Sequence, residues 1–230
     1  MGNALDGGAA VSHNLPAMQR VITGILATAF FVALLIRADA RSDRRGIWLA
    51  KPLASLGFVL TAIASGALET PYGHALLVAL ALSMLGDVLL IDRGDVRFLA
   101  GLASFLFGHI AFCAAFVRHG IDARASATAS VPLLALGAVV GAWLFPKVDR
   151  GMRAPVVAYM GVITTMVALA IGAVARGGTP WIVVGALAFY GSDLSVARDK
   201  FVAPGFANRV WGLPLYYAAQ IVLACTAAAP

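Results

Sequence analysis

The chain has 230 residues, of which 61% are hydrophobic and 12% charged, with a formal net charge of +6 and a mean hydropathy of +0.89. Soluble domains carry about 25% charged residues, so this balance excludes an ordinary water-soluble fold. The positive charge belongs to the rule that distributes Lys and Arg among the loops of membrane proteins, and no nucleic-acid partner is expected from it.

Residues 1–16 are rich in Gly and Ala, include Pro16, and are expected to form a short disordered tail. Residues 17–230 then form a single domain with eight apolar runs, near 17–36, 48–68, 74–92, 97–117, 131–147, 153–175, 180–197 and 210–228. Most approach the length of about 20 residues that crosses a hydrocarbon core of about 30 Å. The expected fold class is all-α: a polytopic bundle of eight transmembrane helices. Pro52 and Pro155 fall in the first turns of the second and sixth runs, where a missing N–H is harmless. Glycines such as Gly57, Gly101, Gly108, Gly172 and Gly185 are expected to let helices approach closely. Cys113 and Cys225 lie within apolar runs and have no metal-ligand spacing.

Of the 17 Lys and Arg residues, thirteen fall in the first, third, fifth and seventh connections: Arg37, Arg41, Arg44, Arg45, Lys51, Arg93, Arg97, Lys147, Arg150, Arg153, Arg198, Lys200 and Arg209. The positive-inside rule therefore puts those connections in the cytoplasm and both termini outside, as in a bacterial inner (cell) membrane. Ala38-Asp39-Ala40 has the look of a signal-peptidase site, but the first run is long for a signal sequence and is followed by arginines. An uncleaved first span is expected.

Helix 3 ends Leu85-Gly86-Asp87-Val88-Leu89-Leu90 and helix 7 ends Tyr190-Gly191-Ser192-Asp193-Leu194-Ser195. Each Asp lies in the third helix of a four-helix half, which points to two parallel four-helix repeats. A carboxylate at the centre of a spanning helix costs roughly 2.5–3.5 kcal/mol, so two of them call for a functional reason. At 1.5 Å per residue, Asp87 and Asp193 lie about 8 Å from the cytoplasmic ends of their helices, with Tyr159, Tyr216 and Tyr217 at similar depth. His109 and Gln220 lie deeper, about 15–18 Å in, and Lys51 sits at the cytoplasmic rim. Each member other than the aspartates also suits a bland role on its own: a snorkelling Lys51, a core His109, belt tyrosines, or Gln220 bonding helices together. Six helices supplying polar groups to one layer favour a shared site around the aspartates.

Lys51-Pro52-Leu53, Gly86-Asp87 with Leu89-Leu90, Phe107-Gly108-His109 with Phe112, Tyr159 with Met166, Gly185-Ala186 with Ser192-Asp193, and Tyr216-Tyr217 with Gln220 occur in that order. The pattern, over residues 20–228, resembles the YhhN-like lysoplasmalogenase family of integral membrane hydrolases. The resemblance implies cleavage of the vinyl-ether bond of lysoplasmalogen to a fatty aldehyde and glycerophosphoethanolamine or glycerophosphocholine, with Asp87 and Asp193 as the catalytic pair. Phe112 departs from the family pattern, where a tyrosine is common.

That chemistry suits the residues independently. Vinyl ethers hydrolyse through acid: a proton adds to the outer alkene carbon, and water captures the resulting oxocarbenium. One neutral carboxylic acid and one carboxylate meet that need, as they do in glycosidases. Lys51 is placed to meet a lipid phosphate, and His109, Tyr159, Ser192, Tyr216, Tyr217 and Gln220 to contact or orient the substrate or water. No cofactor is expected, and only His109 among the four histidines is clearly intramembrane, so a three-histidine zinc site is disfavoured. The alternative of another class is a proton-coupled transporter or exporter that uses the same paired carboxylates.

Overall fold

A computed structural model describes residues 6–92 and 94–228. Eight α-helices follow one another, α1 (Asp6–Ala40), α2 (Arg44–Ala64), α3 (Pro71–Leu89), α4 (Asp95–His119), α5 (Ala123–Leu144), α6 (Arg150–Ala175), α7 (Trp181–Ala197) and α8 (Phe206–Cys225). A 3-10 turn, Phe145–Lys147, follows α5, and a π-helical turn, Arg198–Val202, continues α7. No strand occurs among the described residues, so the fold is the expected all-α bundle. Of the tail expected at 1–16, residues 1–5 lie outside the described residues, and 6–16 belong to α1.

Local chemistry sets several helix starts. Asp43, Thr70 and Asp122 each cap a helix by accepting a hydrogen bond from the backbone N–H three residues on, at Gly46, Gly73 and Ala125. Pro71 then occupies the first turn of α3, where it needs no donor. Two helices begin earlier than their apolar runs. With α2 starting at Arg44 and α6 at Arg150, Pro52 and Pro155 lie inside their helices rather than in the first turns expected for them. Each forfeits one i→i−4 hydrogen bond.

Six helices, α1 to α6, are long and apolar enough to cross a bilayer by length and composition. At 17 residues α7 falls short of that length on its own, though the π-helical turn prolongs it. The outer surface agrees with a lipid environment: Leu26, Leu60, Val78, Phe107 and Leu134 are all exposed. All four tryptophans (Trp48, Trp143, Trp181 and Trp211) are exposed close to helix ends, as an interfacial aromatic belt requires. The core is formed by Phe58, Phe112, Phe116, Phe189, Leu76, Leu80, Met166, Ile182 and Leu223. Both cysteines are free thiols.

Three odd connections meet at one end of the bundle. Arg44 pairs with Asp92 at 2.6 Å, Lys200 with Asp95 at 2.9 Å and Arg209 with Asp39 at 2.5 Å, joining the first, third and seventh connections. At the opposite end Tyr72 bonds Thr226 at 2.6 Å. The basic end is thus one physical face.

Helix packing follows the internal duplication. The pairs α1/α2, α2/α3 and α3/α4 recur as α5/α6, α6/α7 and α7/α8, and between the halves α2 packs on α8 as α6 packs on α4. Small residues permit these approaches. A Cβ on Gly24 would strike the Thr61 side chain, and one on Gly57 the Thr28 side chain, so α1 and α2 lock by reciprocal Gly–Thr contacts. The duplication fails in one place: α1 packs on both α2 and α8, whereas α5 packs on α6 with no comparable contact to α4.

Candidate active site

A cavity of about 660 Å³ opens within the basic half of the bundle, and both Asp87 and Asp193 line it. The two carboxylates make no hydrogen bond to each other. Each has its own set of partners, drawn from helices that correspond in the two halves.

Asp87, on α3, is almost fully buried, with its side chain 3% exposed. Its Oδ2 accepts hydrogen bonds from Ser55 Oγ of α2 and Tyr216 OH of α8, both at 2.7 Å. Its Oδ1 lies 3.5 Å from the Lys51 ammonium, one turn before Ser55 on the same face of α2. Tyr217 donates to the Lys51 carbonyl at 3.3 Å, the acceptor that otherwise competes for the Ser55 proton. Three donors thus converge on one carboxylate, and one of them carries a charge.

Asp193, on α7, is more open, with its side chain 17% exposed. Its Oδ2 accepts from Tyr159 OH of α6 at 2.7 Å and lies 3.2 Å from His109 Nε2 of α4. The same Nε2 is 2.9 Å from the Tyr159 hydroxyl, closing a three-membered cluster. Nδ1 of the fully buried His109 meets no protein partner. Among the described residues no lysine or arginine joins this carboxylate.

An aromatic wall separates the clusters. The Phe189 ring centroid lies 4.5 Å from that of His109 and 5.4 Å from that of Tyr216, and Phe105 and Phe112 pack edge-on against it. Phe112, at the position where a tyrosine was noted as common, is fully buried in this wall.

Of the residues expected to contact substrate, Lys51, Tyr159, Ser192 and Tyr216 line the cavity, while His109, Tyr217 and Gln220 stand behind its surface. Lys51 is not at the rim: it is buried, and its ammonium is directed at Asp87. With α2 starting at Arg44, Lys51 lies about 10 Å into the helix. Ser192 donates its hydroxyl proton to the Phe189 carbonyl at 2.8 Å. Both amide atoms of the buried Gln220 are without a protein partner. The cations at the cavity mouth are Lys200 and Arg209; Arg209 is held by Asp39 and, at 3.1 Å, by Asp199. Sequence reading missed Ser55 and the Phe189–Phe105 wall. The i, i+4 relation to Lys51 is the signal that points to Ser55. Among the described residues no three His, Cys, Asp or Glu side chains converge as metal ligands do.

A helical bundle with an apolar outer surface, enclosing a cavity that two carboxylates line, defines the protein as an integral membrane protein with a polar site inside its helices. A family model described as the YhhN family matches residues 46–227, and the chain belongs to that family. It is similar to the lysoplasmalogenase TMEM86A of cattle, 28% identical over 187 residues that cover 79% of this chain and 73% of the relative. It is also 28% identical to a lysoplasmalogenase of Mycobacterium tuberculosis over 87% of this chain and 78% of that one. The mouse lysoplasmalogenase TMEM86B is 30% identical over 94% of this chain and 90% of its own length. No solved structure gives a significant match.

Proposed function

We propose that the protein hydrolyses the vinyl-ether bond of lysoplasmalogen, releasing a fatty aldehyde and glycerophosphoethanolamine or glycerophosphocholine, by acid–base catalysis with Asp87 and Asp193. The observation that carries this reading is the pair of carboxylates on the wall of one cavity with unlike partners. The names of the relatives support the substrate class, and no observation favours the transporter alternative.

The partners divide the labour. Asp87, facing the Lys51 ammonium and accepting from Ser55 and Tyr216, is the carboxylate. Protonating it would strand a buried ammonium without its counter-ion. Asp193, with a phenol and an imidazole as partners and no lysine or arginine beside it among the described residues, is the proton carrier, and among those residues its Oδ1 accepts no protein hydrogen bond.

Asp193 gives its proton to the outer alkene carbon, and the π pair that forms that C–H bond leaves an oxocarbenium at the carbon bonded to oxygen. Water adds to that carbon and passes a proton to Asp87. The hemiacetal then collapses. Its hydroxyl proton returns to Asp193, the carbon–oxygen bond to glycerol breaks, and Asp87 protonates the departing oxygen. Both carboxyl groups end as they began, and one water has been consumed. Tyr159 and His109 hold Asp193 by one oxygen; Lys51, Ser55 and Tyr216 hold Asp87 in place for the cation and the water. The basic end of the bundle faces the cytoplasm in this reading, with both termini outside a bacterial inner membrane.

The test is incubation of purified protein with a defined lysoplasmalogen and with its saturated alkyl-ether analogue. Aldehyde release from the first and none from the second is expected. Equal treatment of both, or movement of a solute driven by a proton gradient without aldehyde release, defeats the proposal.

A further inference from the structure

The broken duplication and the cavity coincide. In the first half α1 covers the flank of α8, but in the second half α5 leaves the corresponding flank of α4 uncovered. The cavity lining extends onto both helices at that place, through Phe98 and Leu102 of α4 and Val140 and Leu144 of α5. All four residues are apolar. They lie in the half of each helix nearest the basic end, since α4 begins there and α5 ends there. Outward of them Leu99, Leu136 and Val139 are exposed, as residues facing lipid are. The first turn of α4 is tied to the π-helical turn by Lys200–Asp95 at 2.9 Å and by the Phe98–Phe201 ring contact at 6.1 Å.

The carboxylates themselves are graded toward this gap. Asp193, whose partners come from α4 and α6, is 17% exposed, against 3% for Asp87 on the side that α1, α2 and α8 enclose. Polar lining residues (Asp199, Asn208 and Arg209) sit instead at the end-on mouth. The cavity lining is therefore apolar toward α4 and α5 and polar at the basic end, with the two carboxylates on the same wall.

We propose that the gap between α4 and α5 is the binding slot for the hydrocarbon chain of a single-chain lipid, which enters sideways from the leaflet at the basic end. This rests on the lipid-hydrolase reading and adds to it where the chain lies: the chain occupies the slot, the ether bond lies at Asp193 and Asp87, and the polar headgroup faces the end-on mouth. A chain moving from bilayer to slot exchanges one apolar setting for another. The slot therefore gains little affinity from the chain and acts by position, discriminating substrates by chain length.

Two measurements test the slot. Wild-type protein in nanodiscs is irradiated with a long-chain lysophosphatidylethanolamine that carries a diazirine midway along its chain. Labelled peptides are expected from residues 97–106 and 136–144, with labelling suppressed by excess unlabelled lysophosphatidylethanolamine. Label confined to α1 or α8 overturns the slot. In parallel, Leu102→Trp and Val140→Trp should each raise KM for a long-chain vinyl-ether substrate by about tenfold or more while leaving a short-chain, water-soluble vinyl ether unaffected. Val139→Trp, at a position 67% exposed on the same helix, should change neither. Unchanged long-chain KM in both slot variants also overturns the proposal. Labelling of the slot without aldehyde release refutes the hydrolase reading and keeps the slot; aldehyde release with label elsewhere does the reverse.

Discussion

The two carboxylates occupy corresponding places in the two halves of the bundle, yet their hydrogen-bonding partners differ. Asp87 on α3 takes its partners from α2 and α8, and Asp193 on α7 takes its own from α6 and α4. The helices correspond; the side chains do not. Where α2 offers Lys51 and Ser55, α6 offers Tyr159, and where α8 offers Tyr216, α4 offers His109. A duplicated scaffold thus supplies two aligned carboxyl groups, and substitution of their neighbours gives one a buried cation and the other none. Under the proposed mechanism, paired acid and base would not arise from mutual repulsion between neighbouring carboxyls, as in an aspartic-protease dyad, but from separate surroundings on either side of Phe189.

The comparison breaks first at the carboxylates. Asp87→Asn and Asp193→Asn are each expected to lower turnover by about 10²–10⁴-fold with the fold intact, since an amide neither gives nor takes the required proton. The double variant should be scarcely worse than the worse single one, because the two act as a unit. Aldehyde-release kinetics on the four proteins check this, and substantial activity in either folded single variant removes that aspartate from the mechanism.

Lys51→Met sharpens the contrast through stability. Removing one partner of a buried ion pair costs about 3–5 kcal/mol, and no residue around Asp193 should show a comparable ionic effect. Thermal melting in detergent of Lys51→Met beside Tyr159→Phe reads the difference. Equal, small shifts would mean that the Lys51–Asp87 contact is not an ion pair.

The phenols come next. Tyr216→Phe and Tyr159→Phe each delete one 2.7 Å hydrogen bond to a carboxyl group, and for bonds to charged groups the loss is about 1.5–3 kcal/mol. Tyr216→Phe should reach that range, and, if Asp193 is the acid as proposed, Tyr159→Phe should fall below it. Melting temperatures in the reverse order contradict the assignment of states. Smallest of all is Arg209→Ala at the mouth: a partly exposed pair with Asp39 and Asp199 is worth about 1 kcal/mol or less, and high salt should erase the effect.

The bundle was legible because apolar runs of spanning length leave few alternatives, and the aspartates because charge stands out within such runs. Lys51 was legible as a residue but not in its position. The Asp43 cap starts α2 at Arg44, ahead of the apolar run, and that extra turn carries Lys51 from the rim to Asp87. Ser55 stayed hidden because a serine in a membrane helix ordinarily bonds the carbonyl four residues back, as this one also does with Lys51 at 3.0 Å. Phe189 and Phe105 were apolar residues among many. Which helix faces which, and so which partners each aspartate receives, depends on tertiary packing of helices that are apolar on most faces. Periodicity carries no record of that.

The central claim is the proposed division of roles, with Asp193 as the acid and Asp87 as the base. Infrared difference spectroscopy at neutral pH, comparing wild type with each asparagine variant, reads it without any substrate. The carbonyl band of a protonated carboxyl group should vanish in Asp193→Asn and persist in Asp87→Asn. Loss of the band in Asp87→Asn with retention in Asp193→Asn would contradict the account.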